Sequence, residues 1–191
     1  MAERERKLVS QAQRGDPEAA EKLLLACEAL IWRICRALLP VEEDLEAAVQ
    51  EVMVKVLHGV GSFRGDGSLA SWVARVAVNH CRDLLRRRKL LSFVPLAGFS
   101  DNDDEEQGAL PFPASDPDPE RVMRAKEGVA RMVAALQQLP SRQREVFVLR
   151  FFAHLDLKAI AFALGVDLGT VKTHLHRALA RLRPYVLEAW P

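Results

Sequence analysis

In the stretch GVDLGTVKTHLHRALARL, Gly165 to Leu182, the residues Thr170, Lys172, Thr173, His176 and Arg177 set hydrogen-bonding groups and positive charge along one side of a helical pattern. Lys and Arg donate to phosphates or to guanine edges, Thr contacts a thymine methyl or a phosphate, and the N–H groups at a helix start attract phosphate. The chemistry on offer is recognition of a polyanion. His174 and His176, at i and i+2, diverge on a helix and do not form a pair of metal ligands.

The elements that hold these residues follow from the apolar spacing. Val171, Leu175, Ala178, Leu179 and Leu182 fall at i, i+4, i+7, i+8 and i+11, one stripe of a helix. A short helix from Leu157 to Leu164 is predicted before it, with Leu157, Ile160, Ala161 and Leu164 on one face. The turn Gly165-Val166-Asp167 joins the two, glycine supplying the left-handed conformation at a helix end. Ala161 permits close approach, Gly165 turns the chain sharply and Val171 fills the wedge. This is the pattern of a helix-turn-helix, whose second helix presents its polar N-terminal face to the major groove.

Helical signals dominate the rest of the chain, with no convincing alternating strand. Asp16-Pro17-Glu18 and Asp118-Pro119-Glu120 each combine a cap, a proline at the first helical position and an acid at the positive dipole end. They predict helices over Pro17 to Leu39 and Pro119 to Leu139. A helix is expected over Glu42 to His58, with Leu45, Val49, Val52 and Val56 inward, ending at Gly59 and Gly61. The loop SFRGDG then leads into a helix capped by Ser68 and running to Lys89. On it, Arg75, Asn79, Arg82 and Arg86 form one stripe, extended by Arg87, Arg88 and Lys89, while Trp72, Val73, Val76 and Leu84 turn inward. Ser141 is the expected cap of a helix reaching Phe152.

The net charge of +1 conceals a division. Residues 1 to 90 hold 15 Lys/Arg and 13 Asp/Glu, 91 to 120 hold none and 8, and 121 to 191 hold 12 and 5. The middle part also carries five prolines and reads as an extended or disordered linker. The expected architecture is all-α: two small helical domains, 1–90 and 119–191, joined by a flexible acidic linker, 91–118. The basic C-terminal domain holds the helix-turn-helix. Cys27, Cys35 and Cys81 lie among apolar helical residues without C-x-x-C spacing, which argues against disulfides and zinc and for a reduced cytoplasmic protein. The N-terminus lacks a signal-peptide core, and the apolar run Leu23 to Leu39 is broken by Glu28, Arg33 and Arg36, so no membrane insertion is expected.

In this order the parts resemble the extracytoplasmic-function (ECF) sigma factors, small initiation factors of bacterial RNA polymerase. VQEVMVKVLHGVGSFRGDGSLASWVARVAVNHCRDLLRR resembles the family's promoter-melting domain (region 2). LPSRQREVFVLRFF with KAIAFALGVDLGTVKTHLHRALARLR resembles its C-terminal domain (region 4). The resemblance implies that Gln50 and Glu51 bind the clamp coiled coil of core RNA polymerase. It implies that Asn79 and its neighbours Arg75, Arg82 and Arg86 serve the minus-ten element of promoter DNA. Gly169, Thr170, Lys172, Thr173, His176 and Arg177 are the implied contacts to the minus-thirty-five element, and the acidic linker is implied to thread toward the RNA path. An inhibitory anti-sigma partner is common in the family. Two positions depart from its usual wording: Ala47 stands where Asp is common, and His174 where Arg is common, making one phosphate contact weaker or sensitive to pH.

The reading excludes catalysis, a cofactor and a bound metal. The acidic run Asp101 to Glu106 has the charge for Mg²⁺, yet lies in a linker with no rigid element to fix its geometry. The alternative is a stand-alone helix-turn-helix regulator; such proteins often add a sensor of alternating strands and helices, a pattern absent from the first ninety residues.

Overall fold

Several of the described helices begin where an Asp or Ser side chain satisfies free backbone amides. The computed structural model describes residues 3–40, 43–91, 131–132 and 134–189. They form α1 (Glu3–Gln13), α2 (Pro17–Leu38), α3 (Leu45–Gly59), a 3₁₀ turn (Val60–Ser62), α4 (Leu69–Leu91), α5 (Ser141–Phe151), α6 (Leu157–Leu164) and α7 (Leu168–Ala189). Residues 131–132 and 134–138 are also helical, and no strand occurs among the described residues. Of the predicted linker 91–118, Leu91 is the last residue of α4, while residues 92–118 and the Asp118-Pro119-Glu120 start lie outside the described residues.

Asp16 caps α2 by accepting the amides of Glu18 and Ala19 at 3.0 and 3.2 Å, with Pro17 at the first position. Asp44 caps α3 through the Ala47 amide at 2.9 Å, so that helix starts at Leu45 rather than Glu42. Ser68 caps α4 as expected, taking the Ser71 amide at 3.1 Å. Ser141 proves to be the first residue of α5, preceded by Pro140 with no side-chain cap. Helix α1 was not anticipated: its few apolar residues, Leu8, Val9 and Ala12, sit among charges. Gln13 at its end donates to the carbonyls of Val60 and Phe63 at 3.0 and 2.8 Å, tying α1 to the turn after α3.

The N-terminal core is built around α2, which packs against α1, α3 and α4. Leu23, Ile31, Ile34 and Cys35 of α2 meet Val52 and Val56 of α3 and Val73, Val78 and Cys81 of α4, all fully buried. Phe63 is buried and stacks obliquely on Trp72 at 5.5 Å. In the C-terminal part, α5 packs on α7 and α6 bridges both; Val146, Leu149, Ile160, Val171, Ala178 and Leu182 close that core. Of the predicted α7 stripe, Leu179 is exposed and Leu175 half-buried, because α5 and α6 cover only a narrow strip of α7. The two sets of helices also touch each other, through α4 with α6 and α2 with α5.

Candidate nucleic-acid interface

The turn between α6 and α7 takes the geometry its residues demand. Gly165 has φ +66 and its amide donates to the carbonyls of Ala161 and Phe162, closing α6 in a left-handed cap. Asp167 then accepts the Thr170 amide at 2.8 Å and the Thr170 hydroxyl at 2.5 Å. Those two donors, hydroxyl first, hold the Asp167 carboxyl below its ordinary pKa. Thr173 donates back to the Gly169 carbonyl at 3.0 Å.

With Val171 buried beneath, the outer side of α7 presents Gly169, Lys172, Thr173, His176 and Arg177, all exposed, with Thr170 half-buried at the edge. All six predicted positions therefore lie along the first turns of one helix. The face-by-face spacing of α7 does not single out Asp167, although an Asp three residues before a Thr at a helix start is a capping signal. His174 is half-buried, with Nδ1 inside and unpartnered.

The α4 stripe divides into two kinds of position. Asn79 and Arg86 are exposed, Arg86 pairing with Asp83 at 3.1 Å. Arg75 and Arg82 are half-buried and engaged by the C-terminal helices: Arg82 by Glu145 of α5, Arg75 by the Phe162 and Ala163 carbonyls of α6. Arg82 also donates to Asn79 at 3.1 Å.

On α3, Gln50 and Glu51 are exposed and border a shallow groove with Ala47, Val54 and Lys55. Val54 is 51% exposed and adds an apolar contact that the buried stripe of α3 did not suggest. Beneath this surface lies His80, buried on α4. Lys55 Nζ stands 2.6 Å from His80 Nδ1; an ammonium only donates, so Nδ1 accepts and Nε2 carries its proton toward Glu51 at 3.7 Å. Burial first, then the Lys55 charge, lower the His80 pKa and keep the ring neutral. No group of three or more His, Cys, Asp or Glu among the described residues could hold a metal, and no described helix is long and apolar enough to cross a membrane.

Residues 23–90 match the family model described as Sigma-70 region 2, and residues 130–182 the model described as Sigma-70, region 4. The ECF RNA polymerase sigma factor SigM of Mycobacterium tuberculosis is 32% identical over 168 residues, covering 88% of this chain and 77% of that protein. The chain belongs to the ECF RNA polymerase sigma factors. The sigma factor is also 29% identical to the RNA polymerase sigma-H factor of Pseudomonas aeruginosa, over 98% of each chain. In fold it matches CnrH, solved in complex with the cytosolic domain of CnrY, with a TM-score of 0.67 at 23% identity over 98% of this chain and 99% of that one. A Bartonella quintana sigma factor RpoE, solved with the anti-sigma factor NepR, gives the same TM-score at 20% identity, over 87% of this chain and 95% of that one. The match over residues 23–90 accounts for helices that a regulator sharing only the helix-turn-helix would lack. The sigma factor is thus a transcription initiation factor that works with RNA polymerase and DNA.

Proposed function

We propose that this sigma factor directs promoter-specific initiation in the cytoplasm, without catalysis of its own, through three surfaces on two domains. In this reading residues 1–90 and 119–191 are the domains, joined by the acidic segment 91–118. The exposed face of α7 reads the minus-thirty-five element, with Lys172, Thr173, His176 and Arg177 toward the major groove and the Asp167-Thr170 cap fixing the helix start. The α4 stripe of Arg75, Asn79, Arg82 and Arg86 takes the minus-ten element, where contacts to an unstacked strand offset the broken base stacking. The groove at Gln50, Glu51 and Val54 docks on core polymerase. An anti-sigma protein is a further partner in this reading, as the solved relatives carry one or a bound cytosolic domain.

The observation that carries the reading is the α7 face: four exposed donor residues on a helix whose start is held by a glycine turn and an aspartate cap. The test is runoff transcription with core polymerase and this chain on genomic fragments, with transcripts sequenced. Transcripts starting behind one shared pair of upstream elements are expected; absence of chain-dependent starts together with failure to co-purify with core polymerase would overturn the reading.

A further inference from the structure

Two of the four arginine-stripe positions on α4 are already occupied, and by the other half of the molecule. Arg82 Nε and Nη2 donate to Glu145 Oε1 and Oε2, both at 2.6 Å, a two-pronged guanidinium–carboxylate pair between α4 and α5. The Glu145 side chain is 5% exposed and takes Arg142 Nη1 as well, at 3.4 Å. Two turns earlier, the Arg75 guanidinium lies 4.2 Å over the Phe162 ring and donates to the last carbonyls of α6. Those carbonyls are the negative end of that helix, a natural seat for a cation. The Phe162 ring reaches the loop before α4, where a Cβ at Gly67 would stand 3.0 Å from it. The same Cβ would stand 2.9 Å from Ser71 Oγ, so the approach is close on both sides.

We infer that the free sigma factor holds itself closed, with α5 and α6 occupying Arg75 and Arg82, two of the four α4 positions that take the minus-ten element, and the Arg82–Glu145 pair as the latch. The inference rests on the proposed role of α4. The chemistry of the latch is that of the ligand it displaces. A carboxylate accepting two parallel N–H bonds from Arg82 imitates a DNA phosphate, and the α6 carbonyl end does the same for Arg75. A strand of DNA and the C-terminal helices therefore compete for the same guanidinium groups. The α3 groove takes no part in this closure, and Gln50, Glu51 and Val54 remain exposed in the closed form.

The test uses the full chain, dye-labelled at the exposed positions Glu21 and Lys158, and two variants, Glu145→Gln and Phe162→Ala, neither of which is assigned to a DNA or polymerase contact. The first keeps the shape of the side chain and removes its charge; the second removes the ring over Arg75. Circular dichroism checks that both stay helical. Wild type is expected to give one short, narrow transfer distance, and the variants a longer, broader one. Binding of a short random-sequence single-stranded DNA at low salt is expected to tighten about tenfold in the variants as the latch is removed. A broad wild-type distribution, or wild-type distances in both variants, would overturn the latch while leaving runoff transcription, and so the sigma reading, standing. Opened variants with unchanged DNA affinity would overturn the masking and the assignment of α4 together.

Discussion

Lys172 and Thr170 are two positions apart on the same helix and are held very differently. The Thr170 hydroxyl is spent on Asp167, whereas Lys172 and Arg177 project into solvent from a helix fixed at its start. Lys172→Ala or Arg177→Ala is therefore expected to weaken binding to the upstream element, and to lower the slope of log affinity against log salt by about one for each phosphate no longer neutralised. Association with core polymerase should not change; equal weakening of both in gel-shift and pull-down assays would indicate a damaged fold. Asp167→Ala should weaken the same DNA binding by freeing the helix start, and Asp167→Asn should recover much of it, since an amide oxygen can still cap. His80 gives a pH dependence whose sign is fixed. Its folded pKa lies below the ordinary 6.5, so the unfolded chain binds the proton first and stability is full above that value, falling as pH drops below it. His80→Gln should flatten the fall in melting temperature between neutral and mildly acidic pH, by thermal circular dichroism.

At the scale of single elements, the turn before α7 is the most exposed to a one-atom change. A methyl group on Gly165 would meet nothing within 4 Å, so Gly165→Ala is a pure backbone test at φ +66. The left-handed conformation should cost about 1 kcal/mol for Ala and less for Asn, so denaturant midpoints should fall in the order wild type, Gly165→Asn, Gly165→Ala. In the N-terminal core, Ile34 is fully buried near the C-terminal end of α2. Ile34→Ala should cost about 2–5 kcal/mol through the apolar packing removed and a residual cavity, again measured by denaturant unfolding. The helices most legible in the sequence are those with strong punctuation. Helix α6 runs from Leu157 to Leu164 as its spacing and Gly165 predict, and α2 starts at Pro17 behind Asp16. The run Glu42-Glu43-Asp44 offers several acids, and only the short Asp side chain reaches the amide three residues on, which moves the start of α3. Helix α1 was hidden because its stability comes from α2 and from Gln13 on distant carbonyls, with almost no apolar face of its own. Leu179 shows the converse: its spacing fits the stripe, but among the described residues it stays 42% exposed.

The arrangement of the whole molecule was the least legible part, because the interactions that set it join residues far apart in sequence. Arg82 and Glu145 are separated by 63 positions, and neither carries a local signal of the other. Read alone, the α4 arginines form a charged helix face; packed, they show which surfaces compete and which do not. The closed form occupies α4 and leaves the α3 groove exposed, so polymerase can dock before DNA. The isolated chain should bind a promoter duplex roughly 100-fold more weakly than the holoenzyme does, because in the proposed arrangement core polymerase holds α4 and α7 at promoter spacing and raises the effective concentration of the second contact once the first is made. Val54→Asp places a charge in the apolar part of the proposed docking groove, and should weaken core binding and with it promoter binding by the mixture, while the distance between the two halves of the free chain stays at its wild-type value. Fluorescence anisotropy on a promoter fragment, with and without core polymerase, reads the two affinities, and the dye pair at Glu21 and Lys158 reads the distance. Specific binding by the free chain as tight as that of the holoenzyme would contradict the order, since a chain closed over its own α4 arginines cannot offer both helices at once.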